Sequence, residues 1–99
     1  MEDVKARLNS EDILLLDIRE PQELTICQID GARHIPFSQI NSRWQEIPRD
    51  QPVVVFCHLG IRSSTLVEQL RQAGFDNVLN MVGGIDAWSR EIDPSIPRY

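Results

Sequence analysis

The sequence has few of the features that mark a membrane or secreted protein. The longest unbroken apolar run among its 99 residues covers positions 53–57, far short of the roughly 20 residues that a transmembrane helix needs. No charged start followed by an apolar stretch indicates a secretion signal. Cys27 and Cys57 are the two cysteines, too few for the disulfide framework of a small secreted fold. These absences favour a cytoplasmic protein in a reducing compartment, with no membrane partner.

Positive charge is also scarce. Ten basic residues against fifteen acidic ones leave a formal net charge of −5, and no local basic cluster is visible. General affinity for a phosphate backbone would need such a cluster, so the sequence predicts no nucleic-acid partner. Nine of the ten basic residues are arginine, whose planar fork of donors suits small oxyanions and carboxylates. The sequence is therefore compatible with local binding of a small anion.

The composition that remains is that of one ordinary globular domain. The chain is 41% hydrophobic and 25% charged, which argues against disorder. A chain of this size sustains one core but not two, so residues 1–99 are predicted to form a single domain.

Apolar patterning predicts alternating strands and helices. Continuous apolar runs are typical of strands covered on both faces, whereas spacings of three and four indicate helices. Strands separated by helices over short connections favour the α/β class, here a mostly parallel sheet of four to five strands with helices on both faces. The predicted strands are 13–16, 31–36, 53–56 and 78–82, and the predicted helices lie near 4–8, 20–24, 38–47 (capped by Ser38), 66–73 (closed by Gly74) and 85–92.

The segment with the clearest chemistry follows the strand 53–56. Cys57 leaves this strand through a short loop that contains Gly60 and Arg62, and three hydroxyl residues follow at the start of the next helix. Unpaired N–H groups at a helix N-terminus converge on an anion, and the helix dipole adds positive charge there. Such surroundings lower the pKa of a cysteine thiol. The pattern therefore predicts that Cys57 is a nucleophile rather than a small buried core residue, which is the ordinary role of a free cysteine.

The sequence resembles single-domain rhodaneses, which are sulfurtransferases that carry sulfane sulfur as a cysteine persulfide. The likeness covers nearly the whole chain and includes four motifs in order. Its tail, 90–99, is also similar to the ends of rhodanese domains attached to adenylyltransferases that activate sulfur carriers. The four motifs are Cys57-His58-Leu59-Gly60-Ile61-Arg62-Ser63 (Cys-x-x-Gly-x-Arg-Ser), Asp17-Ile18-Arg19 (Asp-x-Arg), Gly31-Ala32-Arg33-His34-Ile35-Pro36 (Gly-Ala-x-x-Ile-Pro) and Gly83-Gly84-Ile85-Asp86-Ala87-Trp88 (Gly-Gly-x-x-x-Trp).

This resemblance implies a reaction without a metal or organic cofactor. Cys57 would take a sulfur atom from thiosulfate or a protein persulfide and pass it to cyanide, a thiol or a sulfur-carrier protein. The resemblance also implies a role for the backbone N–H groups of the loop, which would stabilise the negative charge of the Cys57 thiolate and of its persulfide. Arg62 would either orient an anionic donor or tie the loop to the domain through an ion pair, and the sequence leaves both roles open. The loop residues of this site are His58, Leu59, Gly60, Ile61, Arg62 and Ser63.

Several other residues invite two interpretations. Where the family usually has Gly-His-Ile, this chain has Cys27-Gln28-Ile29, and we expect Cys27 to be structural rather than a resolving thiol. Asp17 and Arg19 are expected to brace a loop near the site. His58 could tune Cys57, although a side chain next to a nucleophile often points elsewhere. Trp44 and Trp88 follow apolar helical periods and are expected in the core.

Two alternative functions compete with sulfur transfer. Cysteine phosphatases, and arsenate reductases on the same scaffold, cradle a tetrahedral anion with five residues between cysteine and arginine, whereas four separate Cys57 from Arg62. The shorter ring suits a single sulfur atom better. A noncatalytic sulfur-relay or interaction module is the third possibility, and the presence of Cys57 speaks against it. The family's short first strand has almost no residues available here, which predicts either a narrower sheet or a shortened chain.

Overall fold

A computed structural model describes residues 13–99 and contains a four-stranded parallel sheet. The strand order is β2-β1-β3-β4, and helices pack against both of its faces. The predicted α/β class and parallel sheet are thereby confirmed. The helix predicted near residues 4–8, and any strand before it, lie outside the described residues. The strands are β1 (Leu14–Asp17), β2 (Arg33–His34), β3 (Val53–Phe56) and β4 (Val78–Asn80).

The two central strands, β1 and β3, explain the continuous apolar runs of the sequence. All four residues of β3 and the last three of β1 are buried, because both faces of these strands are covered. Their register pairs Leu14 with Val53 and Asp17 with Phe56, so both strands end at the same level. Residues that follow Asp17 and Phe56 therefore lie side by side at the carboxyl edge of the sheet, the usual ligand edge of such folds.

The helices follow the predicted order, with one exception. They are α1 (Pro21–Leu24), α2 (Ile40–Arg43), α3 (Ile61–Gln72) and α4 (Gly84–Glu91), and two 3₁₀ turns, Phe37–Gln39 and Trp44–Glu46, flank α2. The single helix predicted over 38–47 is wrong: only one α-helical turn forms there. Its predicted cap is wrong as well, because the Ser38 hydroxyl donates to the Glu20 side chain.

Two predicted strands are shorter than their patterns suggested, and one tryptophan is outside the core. β2 stops at His34, and a 3₁₀ turn begins three residues later at Phe37. β4 stops at Asn80, because a turn begins at Met81, whose carbonyl accepts from Gly84 N–H. Trp88 is buried as expected, but Trp44 is 40% exposed. The Trp44 ring meets Phe75 edge to face at a centroid distance of 6.5 Å, so it covers the rim of the core instead of entering it.

Two apolar clusters lie on opposite faces of the sheet. On one face, Leu66, Val67 and Leu70 of α3 pack with Val53 and Val55. On the other face, α4 packs against residues that point the opposite way along the same strands. No helix within residues 13–99 is long and apolar enough to cross a bilayer. The members of the second cluster include Ile13, Leu15, Val54, Phe56, Ile85 and Trp88.

Candidate active site

Cys57 lies in the first position of a tight loop that joins β3 to α3. The loop ends at Gly60, the N-cap of α3, with φ of +96°, a conformation that glycine adopts without steric cost. This turn directs the free N–H groups of the first helical turn back toward the end of β3. The local sequence thus places the sulfur of Cys57 against the positive end of a 12-residue helix.

Two N–H donors and one hydroxyl group surround the Cys57 sulfur. Gly60 N–H donates to Sγ at 3.2 Å and Ser63 N–H at 3.4 Å. The hydroxyl oxygen of Ser63 also lies 3.4 Å from Sγ, and that hydroxyl hydrogen-bonds the Asn80 side chain at 2.5 Å. Ser63 is fully buried, so its position is fixed by packing as well as by these bonds. These groups form a small cradle around the sulfur atom of Cys57.

Burial and hydrogen bonding act on Cys57 in opposite directions. The residue is 1% exposed, and burial alone raises the pKa of its thiol. Hydrogen bonds from the Ser63 hydroxyl, Ser63 N–H and Gly60 N–H, together with the charge of Arg62, outweigh burial and leave the pKa of Cys57 below its ordinary value. Cys57 is therefore a buried cysteine whose surroundings favour the thiolate, the reactive form of the side chain.

The first turn of α4 supports the loop from behind. Ile85 N–H donates to the Cys57 carbonyl at 2.9 Å, and Asp86 N–H donates to the His58 carbonyl at 3.1 Å. The backbone approaches so closely that a Cβ on Gly84 would lie 2.4 Å from the Cys57 carbonyl oxygen and 2.5 Å from that of His58. Gly84 is thus required by contact with the active loop, whereas a Cβ on Gly83 would lie 2.6 Å from the Cβ of Ala87. Both glycines also have positive φ angles.

Arg62 pairs with a carboxylate instead of pointing freely into the loop. Its two terminal nitrogens donate to the two oxygens of Glu23 at 2.9 and 3.0 Å. Glu20 N–H and the Tyr99 hydroxyl donate to the same carboxylate at 2.8 and 2.9 Å. These bonds, led by those from Arg62, hold the pKa of Glu23 at about 2. Of the two roles that the sequence left open for Arg62, this structure displays the ion pair.

Asp17 and Arg19 form a second, fully buried pair at the same edge of the sheet. The closest N–O distance is 2.7 Å, and Arg19 is 0% exposed. Arg19 also donates to the Cys27 carbonyl at 2.9 Å, and its own carbonyl lies 2.6 Å from the His34 ring nitrogen Nε2. The pair connects β1 to neighbouring segments, in agreement with the expected bracing role. Cys27 is buried with a free thiol, in the cluster opposite to that of Cys57.

Of the remaining loop side chains, Leu59 and Ile61 face outward and His58 is half-buried. The His58 ring stacks on Tyr99 with centroids 3.7 Å apart and an interplanar angle of 8°. Leu59 and Ile61 are 53% and 73% exposed. Their side chains give the rim of the loop an uncharged, apolar surface. Of the predicted loop residues, Gly60 and Ser63 contact the sulfur directly, whereas Arg62 acts on it through its charge.

Sequence reasoning missed three residues of this site. Glu23 stands three positions after Glu20 and two after Pro21, a pattern typical of a helix start with a capping box, and the structure contains that capping box. This pattern predicts the start of helix α1, but it does not predict the ion pair between Glu23 and Arg62. Asn80 and Tyr99 reach the site only through the fold, and no local pattern indicates them.

Comparisons with known proteins agree with this geometry. A family profile described as "Rhodanese-like domain" matches residues 1–91. A sulfurtransferase from Allochromatium vinosum is 44% identical over 82 residues, covering 83% of this chain and 77% of the relative. The probable adenylyltransferase/sulfurtransferase MoeZ from Mycobacterium tuberculosis is 37% identical over 89 residues. This chain spans 23% of the length of MoeZ, so only one part of that protein is comparable.

Solved structures share the fold over nearly the whole chain. A rhodanese-related protein from Thermoplasma volcanium is 33% identical with a TM-score of 0.85, covering 99% of this chain and 94% of the other. The human single-domain sulfurtransferase TSTD1 is 23% identical with a TM-score of 0.83, covering 92% and 93%, and this second likeness concerns the fold alone. With the profile match and the sulfurtransferase relative, these findings show that the chain belongs to the rhodanese-like domain family, among relatives that are sulfurtransferases.

Proposed function

We propose that this protein is a sulfurtransferase in which Cys57 carries the transferred sulfur as a persulfide. The observation that supports it best is the cradle at Cys57, where N–H groups of Gly60 and Ser63 donate to Sγ. Donors fixed before the reaction stabilise a negative sulfur without reorganisation. The same cradle serves the thiolate before transfer and the persulfide after it, because each presents a negative sulfur to the loop.

The first half-reaction loads the cysteine. With thiosulfate as donor, the Cys57 thiolate attacks the outer sulfur and forms a new S–S bond. The S–S bond of thiosulfate breaks, and sulfite leaves with the electron pair. With a persulfide donor the leaving group is a thiolate instead. Because Cys57 is 1% exposed, either donor reaches Sγ only when the loop widens, and the loop amides of residues 58–63 then face the added sulfur.

The second half-reaction returns Cys57 to the thiolate. A nucleophilic acceptor, such as cyanide or a thiolate, attacks the outer sulfur of the persulfide and takes it, while the bonding electrons return to Cys57 Sγ. Electrons and atoms balance without a metal or an organic cofactor. A protein acceptor, such as a sulfur carrier, belongs to this proposal because relatives include MoeZ, an adenylyltransferase/sulfurtransferase by name. A reducing, cytoplasmic setting suits a mechanism that depends on a free thiol.

Mass spectrometry tests the loading step directly. Incubation with thiosulfate, or with the persulfide of a short cysteine peptide, is expected to add one sulfur atom to Cys57. Cys57→Ser should remain unmodified and inactive, whereas Cys27→Ser should behave as the wild type because Cys27 lies in the opposite apolar cluster. Sulfur transfer that survives Cys57→Ser would overturn the assignment of the nucleophile.

The alternative functions give different outcomes in the same experiment. Four residues separate Cys57 from Arg62, and the resulting ring is small for a tetrahedral phosphoryl group. We therefore expect no cleavage of aryl phosphates and no reduction of arsenate. Hydrolysis of a phosphate ester by wild type and not by Cys57→Ser, without sulfur loading, would favour the phosphatase. A binding partner retained by Cys57→Ser, with no sulfur transfer by wild type, would favour a noncatalytic module.

A further inference from the structure

The two arginines beside the active loop are both neutralised by carboxylates. Arg19 is bound by Asp17 in the interior, and Arg62 is bound by Glu23 at the rim. The Arg62 pair is bidentate, with both Glu23 oxygens accepting, which is the strongest geometry that a guanidinium and a carboxylate adopt. A small anion that approaches Cys57 therefore meets an arginine whose charge is already balanced by a carboxylate bound to both of its terminal nitrogens.

The carboxylate is held in this position from three directions. Besides Arg62, the Glu20 N–H and the Tyr99 hydroxyl donate to it. These donors lower its pKa to about 2, so the carboxylate is ionised at neutral pH. Moving Glu23 away from Arg62 would break bonds to several donors at once, so an incoming anion competes poorly for the guanidinium.

The exposed side chains of the loop itself carry no charge. Leu59 and Ile61 are exposed and apolar, and the His58 ring is covered on one face by Tyr99. What the loop offers a donor is thus a set of N–H groups for one sulfur atom, surrounded by a neutral surface with one acidic side chain beside it. A dianion such as thiosulfate gains little from this surface, because the Glu23 carboxylate cancels the charge of Arg62.

We propose that Glu23 is a positioning residue that sets donor specificity: by occupying Arg62, it disfavours small dianionic donors and favours persulfides with low charge at the reacting end. This inference rests on the proposed function and deepens it by naming the donor class. The donor that fits best is a persulfide on a cysteine within a peptide or protein, and thiosulfate becomes a poor substitute with a high KM.

The variant Glu23→Gln tests this inference, because it keeps the shape and removes the charge. Electrostatic energy scales with the charge of the donor. From the usual strength of partly exposed charge interactions, the KM for a monoanionic peptide persulfide should fall about threefold and that for thiosulfate about ninefold. The kcat values should change less than the KM values. Added salt should reduce both effects, because it screens charges at the rim.

Two matched variants serve as controls. Glu46→Gln removes one charge from another bidentate pair, that with Arg43, and should change neither KM. The double variant Glu23→Gln/Arg62→Gln restores the net charge of the wild-type pair and should return the thiosulfate KM toward its wild-type value. The double variant leaves no unpaired charge, so it can still be compared with the wild type if an unpaired Arg62 prevents Glu23→Gln from folding.

A second measurement does not depend on sulfur transfer. Iodoacetate carries one negative charge and iodoacetamide none, so the ratio of their alkylation rates at Cys57 reports the local potential and cancels changes in thiolate population. Glu23→Gln should raise this ratio about threefold. An unchanged or lowered ratio would overturn the inference, as would equal KM changes for thiosulfate and the peptide persulfide. If the wild type loads no sulfur from either donor, the proposed function fails, and the alkylation ratio still decides the role of Glu23.

Discussion

Replacing Gly84 by alanine should disturb the active loop from behind. A Cβ at this position would lie 2.4 Å from the Cys57 carbonyl oxygen and 2.7 Å from the His58 carbonyl carbon, and these are backbone atoms that move only if the loop moves. Gly31→Ala is the matched control. Its φ of +86° is also in the left-handed region, but a Cβ there would meet nothing within 4 Å.

The two variants separate backbone strain from the contact with the loop. The left-handed conformation costs a residue with a Cβ roughly 1–2 kcal/mol, a cost common to both variants. Forcing an extra methyl group into a packed site adds about 1–3 kcal/mol, and only Gly84→Ala bears this second cost. The total of about 2–5 kcal/mol stays within the usual stability of a small domain, so Gly84→Ala should fold at room temperature.

Urea unfolding and alkylation of Cys57 measure the two effects. We expect Gly31→Ala to lower the free energy of unfolding by the strain alone and to leave the alkylation rate of Cys57 unchanged. Gly84→Ala should be less stable than Gly31→Ala and should alkylate at a different rate, because the carbonyls of Cys57 and His58 must shift. Equal stability of the two variants, together with equal alkylation rates, would refute the argument that the Gly-Gly turn positions the loop.

Two further predictions concern ionisation. Ser63→Ala removes one hydrogen bond that lowers the pKa of Cys57, so iodoacetamide alkylation below that pKa should slow about tenfold, since a hydrogen bond to a charged group contributes roughly 1.5–3 kcal/mol. A rate equal to that of the exposed control Ser64→Ala would contradict this. Because the pKa of Glu23 falls from 4.5 to about 2 on folding, its contribution to stability is complete above 4.5 and is lost as the pH falls toward 2. Urea unfolding across this interval should therefore show a weaker acid dependence for Glu23→Gln than for wild type, and parallel curves would disprove the linkage.

The parts of the fold that could be predicted from sequence are those set by continuous or periodic apolar residues. Strand β3 forms where its run of four apolar residues predicted it. A run without polar residues suits a strand that is buried on both faces. The helix prediction for residues 38–47 was wrong, because the spacing of apolar residues alone does not determine a helix. There the Ser38 hydroxyl bonds Glu20 across the fold, and Ile47 takes an extended conformation that ends the helical geometry.

The site divides in the same way. Cys57, Gly60 and Ser63 act within seven consecutive residues, so the loop motif was sufficient to predict their grouping. Glu23 reaches Arg62 from 39 positions away, and Tyr99 reaches Glu23 from 76 positions away. Contacts at such separations depend on how strands are ordered in the sheet and where the tail returns, and a single sequence contains no local signal for either.

The hydrogen bonds from Ile85 and Asp86 to the carbonyls of Cys57 and His58 also bear on when the protein becomes reactive. A ribosome synthesises the nucleophile well before it synthesises the turn and helix that support its loop. Until α4 docks, those carbonyls lack their partners and the cradle has no fixed shape. The thiol of a half-made chain should therefore behave as an ordinary cysteine, and its activation should await the docking of α4.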